Sequence, residues 1–509
     1  MTATIESMQP TFAIMCPAIV SILILLFGKW PNIRESWTLI AAIAQFLIVI
    51  SMAPVILAGN IIECTFFTML PGVDFGFSVD AFGLIFAITS SFLWILVSLY
   101  SIGYMRSLNE HAQTRFYFFF ALAIFGAVGI AMSGNLFTMF IFYEILTVST
   151  YPLVAHEQTP VALSAGRKYL VYLLTSGTFF LAAIVLTYYF SGTTDFVNGG
   201  IPNLASEASR TALMILFVIF LLGFMKAAWM PFHSWLPTAM AAPTPVSALL
   251  HAVAVVKAGV FGIIRVVCYI YGVDLMSALG LGLALACLAA FTMIVANLFA
   301  IGEDNLKRRL AYSTINQLSF IILGVALLSP MGITGAMIHI PFHGFMKITL
   351  FMCAGAIIVA TGKKNVSEMA GIGRTMPVTM AAFTIAAFGM CGIPPVSGFI
   401  SKWYICLGSI QSPGMVAFLF IAVTASLLDV VYFFPIIRTA FFEKPAETNG
   451  GSSEEETRNK ETEHPLYLFM LLPLAITAIF SIIFCLFPNT FYIFDLVQMA
   501  IKDLFGGVV

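Results

Sequence analysis

Residues 222–265 read LGFMKAAWMPFHSWLPTAMAAPTPVSALLHAVAVVKAGVFGIIR, a stretch that combines charged and helix-breaking residues inside apolar sequence. Lys226, His251 and Lys257 lie in runs apolar enough to be membrane spans. An ionisable side chain at mid-bilayer costs about 3 kcal/mol or more. Non-helical backbone survives at that depth only where it is buried in protein or lines a wet cavity. The two features together indicate an ion path. The prolines predicted to break the helix between these charges are Pro231, Pro237, Pro243 and Pro245.

The composition places the chain among polytopic membrane proteins. Hydrophobic residues make up 60% of its 509 residues and charged residues 9%, and the mean hydropathy is +1.00. These values lie far outside those of soluble domains. At roughly 20 residues per span, the chain has room for about fourteen helices. The sequence therefore predicts an all-α protein embedded in a lipid bilayer, and no nucleic-acid partner is expected.

The cysteines and glycines carry no cofactor signature. Eight cysteines are dispersed through apolar segments without a C-x-x-C spacing, a pattern that does not suit an iron–sulfur cluster or a haem. Gly-rich nucleotide fingerprints and metal-ligand clusters are absent from the sequence. We therefore expect no cofactor, no metal and no catalytic residue in this chain, so that any electron transfer takes place elsewhere.

The basic residues indicate the orientation of the predicted spans. Apolar runs separated by polar turns divide the chain into fourteen spans. Of the 23 Lys and Arg residues, sixteen fall in or beside the odd-numbered connections and two fall on the other side. This asymmetry predicts that the odd-numbered connections are cytoplasmic and that both termini lie outside a prokaryotic-type cell membrane. The five remaining basic residues lie within spans: Lys226, Lys257, Arg265, Lys347 and Lys402.

Two predicted spans are interrupted at comparable places. Span 7 breaks around Pro231, just after Lys226, and span 12 breaks within residues 392–398, GIPPVSG, just before Lys402. Paired interruptions are typical of transporter repeats. Each unit would hold five helices, an odd number, so the second unit would cross the membrane in the opposite sense. The breaking prolines of span 12 are Pro394 and Pro395.

These features divide the chain into five predicted parts. They are helices 1–3 (residues 1–110), a first five-helix repeat of helices 4–8 (111–272), a second repeat of helices 9–13 (273–442), a cytoplasmic linker (443–465), and helix 14 with a short outer interfacial helix (466–509). The linker prediction depends on the polar run NGGSSEEE that begins at Asn449. The interfacial helix is predicted from an apolar face between Phe491 and Phe505.

Several motifs match a known family of membrane subunits. They are LFTMFIFYEILTVSTYPL (136–153, with Glu144), KAAWMPFHSWLP (226–237), APTPVSALLH (242–251), KAGV (257–260), the stripe His339/His343/Lys347, and GIPPVSGFISK (392–402). Over most of spans 3 to 13 the chain resembles the proton-antiporter-like subunits shared by respiratory complex I, energy-converting membrane-bound hydrogenases and Mrp cation/proton antiporters. Because it ends soon after span 14, it is expected to be most similar to the Mrp D-type and hydrogenase H-type members.

The resemblance implies both residue roles and partners. In that family a Glu on span 5 and a Lys on span 7 are joined, through a central chain of Lys and His, to a Lys or Glu on span 12. The implied partners are other antiporter-like and small membrane subunits of a hetero-oligomeric complex, with a peripheral iron–sulfur redox arm in the redox-driven types. By position, the family's residues are Glu144, Lys226, His251, Lys257, Lys347 and Lys402.

The first charges of this set suggest a coupled pair. Glu144 lies near the middle of its span, so it needs a cationic partner or neutralisation. Pairing with Lys226 would let the carboxylate set the charge of the lysine, and a purely structural ion pair is the alternative. His251 is six positions from Lys257 and on a different face, so it is either part of the path or a hydrogen-bonded core histidine.

A second group of titratable residues lies on one stripe of span 11. His339, His343 and Lys347 recur at i, i+4 and i+8, which stacks three such groups along the helix. Pro341 frees a backbone carbonyl beside them. Asp429, in TASLLDVVYFF (424–434), is outside the family pattern. Three roles are open for it: the proton acceptor from Lys402, a counter-charge to Lys402, or a contact to a neighbouring subunit.

The residue types favour protons as the transported ion. A lysine ammonium only donates hydrogen bonds and cannot ligate Na⁺. The predicted function is a proton-translocating subunit of a membrane complex, coupled to a redox module of the complex I or hydrogenase type. The alternative within the family is the D-type member of an Mrp Na⁺/H⁺ antiporter. An independent secondary transporter of a small solute, from another class, would have a substrate pocket instead of a lysine row.

Overall fold

The computed structural model describes residues 3–443, 461 and 465–506. Most of the predicted linker, residues 444–460 and 462–464, lies outside the described residues. The described chain is predominantly helical, which confirms the predicted all-α polytopic class. The N-terminal helices are α1 (Gln9–Leu26), α2 (Pro31–Ser51), α3 (Ala53–Leu57), α4 (Ala81–Ser107), α5 (Gln113–Met132), α6 (Leu136–Val154) and α7 (Pro160–Ser191).

A small sheet adds to the predicted helices. Strands β1 (Ala3–Glu6), β2 (Asn60–Leu70) and β3 (Val73–Val79) form it in that order. β1 is parallel to β2, and β2 is antiparallel to β3, with Ile62 opposite Val79 and Leu70 opposite Val73. Gly72, at the turn, has a φ of +80° that favours glycine. The sequence analysis predicts only a connection between the second and third spans, so this hairpin is a difference from the prediction.

The middle of the chain contains the first broken span and a long kinked helix. Its elements are α8 (Leu204–Glu207), α9 (Arg210–Gly223), a 3₁₀ turn (Met225–Ala227), α10 (Trp235–Thr238), a 3₁₀ turn (Ala239–Ala241), α11 (Thr244–Ala248), a π-helical turn (Leu249–Val253), α12 (Val255–Arg265), a second π-helical turn (Val266–Tyr271) and α13 (Gly272–Leu279). The helical run continues to Leu279, beyond the predicted boundary at residue 272, where Gly272 has a φ of +75°.

The remaining elements contain the second broken span. They are α14 (Leu281–Gly302), α15 (Leu306–Ala326), α16 (Pro330–Thr361), a 3₁₀ turn (Val366–Glu368), α17 (Ile372–Thr375), α18 (Pro377–Cys391), α19 (Gly398–Gln411), α20 (Ala417–Phe442), a 3₁₀ turn (Pro465–Tyr467), α21 (Leu468–Leu486), a 3₁₀ turn (Thr490–Tyr492) and α22 (Ile493–Leu504). The predicted interfacial helix corresponds to α22, but its apolar face packs against α3, α4 and α16. Phe491, assigned to that face, precedes the helix and has a φ of +58°.

Two pairs of helices share the way in which they begin, and one of these pairs also shares the way in which it ends. α7 and α16 each have 32 residues, a hydroxyl cap (Thr159 or Ser329), proline in the first turn, and a left-handed glycine after the last turn. Asn135 caps α6 and Asn305 caps α15. Each asparagine also forms a bridge, Asn135 with Asp195 and Asn305 with Asn365, so the second pair lies 170 positions after the first (305 less 135, 365 less 195).

The core surrounds three helical segments. Within Thr244–Leu279, the most apolar 18-residue stretch is completely buried. The corresponding stretches of α4 and α16 are 83% and 78% buried, whereas that of the peripheral helix α20 is only 33% buried. The outer helices expose leucine, isoleucine and phenylalanine, which suits contact with lipid.

The structure supports the all-α membrane class more directly than it supports the number of membrane spans. Among the described residues, eleven helices are long and apolar enough to cross a membrane. The other predicted spans coincide with two broken segments and with α15, whose polar residues lower its hydropathy. Fourteen spans therefore stays a prediction.

Candidate functional site

The first break exposes backbone groups around Lys226. α9 ends at Gly223, and the following 3₁₀ turn carries Lys226, which is fully buried. Its ammonium donates to the backbone oxygen of Tyr143 at 2.5 Å and lies 3.2 Å from the centre of the Tyr143 ring. A carbonyl and an aromatic face can both stabilise an ammonium away from water. α12 crosses directly against this turn, because a Cβ on Gly259 would overlap the backbone nitrogen of Ala227.

The predicted Glu144–Lys226 ion pair is not formed. Lys226 bonds to the backbone of Tyr143, the residue before Glu144. Glu144 Oε1 is buried without a hydrogen-bond partner among the described residues. The carboxyl instead lies against Gly177 of α7. The two groups still interact electrostatically, so they are neighbours without direct contact, and the coupling predicted for them stays a prediction.

The prolines of this region have different local roles. Pro231 lies in the non-helical stretch after the Lys226 turn, as predicted. Pro237 is within the short helix α10, and Pro243 and Pro245 lie at the start of α11. Pro243 lies in the gap between the 3₁₀ turn Ala239–Ala241 and α11. Pro245 lies in the first turn of α11, where the missing N–H of a proline has no intrahelical partner. Pro394 and Pro395 lie in the non-helical link between α18 and α19.

Lys257 and His343 meet at the centre of the bundle. Lys257 Nζ is 2.6 Å from His343 Nδ1, and both side chains are buried. His251 is placed differently: its Nδ1 is 2.9 Å from the Thr314 hydroxyl. His251 lies within the π-helical turn Leu249–Val253, which changes the helical phase before α12 begins. His251 and Lys257 thus face different partners, as their spacing predicts.

The stripe on α16 is buried along its whole length. His339 Nδ1 is 2.7 Å from the Ser401 hydroxyl, and the rings of His339 and His343 stack with centres 5.7 Å apart. Lys347 donates to the Ser313 hydroxyl at 2.9 Å. Pro341 lies within the helix between the two histidines. Among the described residues, the Nε2 atoms of His339 and His343 have no hydrogen-bond partner, which leaves one ring nitrogen of each open to accept or deliver a proton.

The second break carries an ion pair. Lys402 Nζ is 2.9 Å from Asp429 Oδ2 and also donates to the backbone oxygen of Met390 at 2.6 Å. Asp429 is fully buried and accepts further bonds from Asn316, Gln317 and Tyr432. Of the three open roles, this geometry fits a counter-charge or proton acceptor for Lys402. A contact between Asp429 and another subunit does not fit, since the carboxylate is enclosed by its own chain.

Neutral polar residues of α15 connect these groups, and sequence reasoning missed them. Ser313 bonds Lys347, Thr314 faces His251, and Asn316 and Gln317 bond Asp429. The run AYSTINQLSF (311–320) is unusually polar for a predicted span, and that polarity is the signal that could have identified them. Such side chains are costly in a membrane interior unless they are bonded.

One loop region groups three side chains that no spacing in the sequence indicates. The structure brings Glu110, His111 and His156 together. His111 and His156 are 45 positions apart in the chain (156 less 111), so no local spacing motif could reveal the group. All eight cysteines are free.

Two family models match the chain. The model described as "NADH:quinone oxidoreductase/Mrp antiporter, TM" matches residues 133–429. The model described as "NADH-Ubiquinone oxidoreductase (complex I), chain 5 N-terminus" matches residues 70–117. The first match includes the candidate site, from Glu144 to Asp429.

Relatives and solved structures agree with these matches. NADH-quinone oxidoreductase subunit N of Desulforudis audaxviator is 31% identical over 417 residues, which cover 81% of each chain. Na⁺/H⁺ antiporter subunit A1 of Staphylococcus aureus is 29% identical over 94% of this chain, which spans only 61% of that longer protein. A chain of the membrane-bound sulfane sulfur reductase, an archaeal respiratory membrane complex, superposes with a TM-score of 0.85 at 25% identity, with 98% of both chains covered. A chain of the Mrp complex from Dietzia sp. shares the fold, with a TM-score of 0.82 at 22% identity and the same coverage. The chain therefore belongs to the proton-antiporter-like family of membrane subunits described as NADH:quinone oxidoreductase/Mrp antiporter proteins.

Proposed function

We propose that this chain is a proton-translocating subunit of a multi-subunit membrane complex coupled to a redox module of the complex I or hydrogenase type. The carrying observation is a buried row of titratable side chains between the two broken spans, with Lys257 in direct contact with His343 at its centre. The proposed proton-translocation residues are Glu144, Lys226, His251, Lys257, His339, His343, Lys347, Lys402 and Asp429.

Neighbouring members of the row are close enough to influence one another. His343 interacts electrostatically with Lys257, Lys347, His339 and His251. Lys347 in turn interacts electrostatically with Asp429. A change of charge at one position therefore alters the energy of a proton at the next. Moving one charge against 100 mV requires about 2.3 kcal/mol, which is within the range that rearranging one buried ion pair supplies.

The two broken spans support the proposal of an inverted repeat. Lys226 and Lys402 each lie beside a helix break and donate to a backbone carbonyl, that of Tyr143 in α6 and that of Met390 at the end of α18. The caps of α6 and α7 recur 170 positions later at α15 and α16. We take residues 111–272 and 273–442 as the two units, residues 1–110 and 466–509 as flanking helices, and 443–465 as a cytoplasmic linker. Both termini would then lie outside a prokaryotic cell membrane.

An antiporter driven by an ion gradient is the second candidate. It is favoured by the similarity to Na⁺/H⁺ antiporter subunit A1 along 94% of this chain. The choice between an Mrp D-type and a hydrogenase H-type member depends on which of these two forms the complex takes. In the redox form the partners would include a peripheral iron–sulfur arm. In the antiporter form they would be membrane subunits alone.

Glu144 provides the test of transport. Because its carboxyl forms no ion pair with Lys226, Glu144→Gln should leave the complex assembled and change its unfolding free energy by less than about 1 kcal/mol. Proton translocation by the native complex in proteoliposomes should fall at least tenfold. Thr187→Ala, which removes a hydroxyl bonded only to its own helix, is the matched control. Full translocation by the Glu144→Gln complex would contradict the proposed path.

A further inference from the structure

A group of potential metal ligands lies outside the proposed proton row. Glu110 and His111 are in the loop between α4 and α5, and His156 follows the end of α6. One ligand atom from each side chain lies within 4.8 Å of the other two. Glu110 Oε2 is 3.8 Å from His111 Nδ1, and the two imidazole rings have centres 4.9 Å apart. Two loops therefore bring three ligating groups to one point.

The His156 side chain is buried with neither ring nitrogen in a well-aligned hydrogen bond among the described residues. An unmade bond at a buried polar atom costs about 1–3 kcal/mol. An imidazole binds a metal ion through a ring nitrogen that carries no proton, and the His156 ring lies beside both other ligating side chains.

We propose that Glu110, His111 and His156 form a binding site for a divalent transition-metal ion of the Zn²⁺ class. Two imidazoles and one carboxylate, with a fourth position open, are a frequent zinc ligand set. Zn–N bonds of about 2.0–2.1 Å place tetrahedral ligand atoms about 3.4 Å apart, so no separation has to shorten by more than about 1.4 Å. The His111 side chain is 49% exposed and has room to move.

The charges around the cluster favour a cation. Glu157 interacts with Glu110 and supplies a second carboxylate nearby. The positive charge of Arg115 opposes the binding of a cation. Its guanidinium donates to the backbone oxygen of His156 at 2.8 Å. That bond fixes the histidine segment, and the two carboxylates offset the arginine charge.

The cluster adjoins a cavity that leads toward the broken span. Glu110 lines a cavity of about 550 Å³ together with Glu157, Lys307 and residues 240–242, and the last of these directly precede α11. A bound ion would neutralise Glu110 at the edge of this cavity. The consequence, which rests on the proposed function, is that zinc slows proton entry from the predicted cytoplasmic side.

Zinc titration of the purified, chelator-treated native complex tests the site. His111→Ala should remove one equivalent of bound Zn²⁺ or weaken its affinity at least tenfold, and His111→Cys, which restores a ligand, should recover it. Glu110→Gln provides a second variant at a different ligand. The control is Glu303→Gln, a carboxylate on another loop of the same predicted side, which should keep wild-type binding. Equal zinc number and affinity in wild type, His111→Ala and Glu110→Gln would overturn the site.

The inhibition measurement separates this inference from the proposed function. Zinc should reduce proton translocation by the wild type and have at least tenfold less effect on His111→Ala, each compared with its own metal-free rate. Loss of one zinc equivalent in His111→Ala supports the site even if the complex moves no protons. Equal zinc inhibition of both complexes would overturn the link between the cluster and proton entry.

Discussion

Asp429 shows how a charge is maintained inside the bundle. Its two oxygens accept from four donors: Lys402, Gln317, Asn316 and Tyr432. Removing one partner of such a pair leaves an uncompensated charge, which typically costs 3–5 kcal/mol. The bonds to neutral donors would keep the carboxylate in place during a change of charge on Lys402, as the proposed function requires.

Lys402 and Asp429 should therefore be energetically coupled. Asp429→Asn and Lys402→Ala should each destabilise the purified complex, while the double variant should lose less than the sum because it leaves no lone charge. We expect a coupling free energy of about 1–3 kcal/mol, measured by thermal unfolding in detergent. Strictly additive losses would show that the pair is not held as the structure describes.

At this scale the sequence predicted the titratable residues and left Lys402 open as the partner of Asp429, but it did not predict the neutral partners. An ionisable residue in an apolar run stands out, and so Lys226, Lys257 and Asp429 were recognised. Thr314 is 63 positions from His251, and such a neutral side chain is ordinary in a helix. The side of α6 to which Glu144 points depends on packing against Gly177, which no local pattern contains.

The broken helices depend on close backbone contact. α12 passes the Lys226 turn at a distance that only glycine permits, since a Cβ on Gly259 would overlap Ala227. Prolines and apolar periodicity predicted the two breaks. They did not predict the π-helical turns or the hairpin of β2 and β3, because these follow from tertiary packing and from a short strand pattern between two strong helical signals.

Gly259→Ala should disturb the first break. Overpacking of a tight contact costs about 1–3 kcal/mol, and the shift would displace Lys226 from Tyr143. We expect a lower unfolding temperature and reduced proton translocation. Gly302→Ala is the matched control, because a Cβ there meets nothing within 4 Å. Similar behaviour of the two variants would argue against a packed crossing at Lys226.

The all-α polytopic membrane class could be predicted for the whole molecule, because the hydropathy pattern and the charge asymmetry extend over the full chain. Its partners could not be predicted, since the family signature is shared by redox-driven and gradient-driven complexes. The composition of the native complex, isolated in mild detergent, distinguishes them. We expect iron–sulfur or nickel-bearing subunits to copurify with this chain. Only small hydrophobic subunits and no iron or nickel would favour the antiporter instead.

Proton translocation by the native complex with Lys257→Ala is the most direct test of the central claim, because Lys257 joins the two halves of the row through His343. The complex would be reconstituted in proteoliposomes and driven by the electron donor or ion gradient that it uses, with Gly302→Ala as the control. The row predicts that Lys257→Ala assembles and loses at least nine-tenths of proton translocation. Translocation at the control rate would show that protons cross by another route.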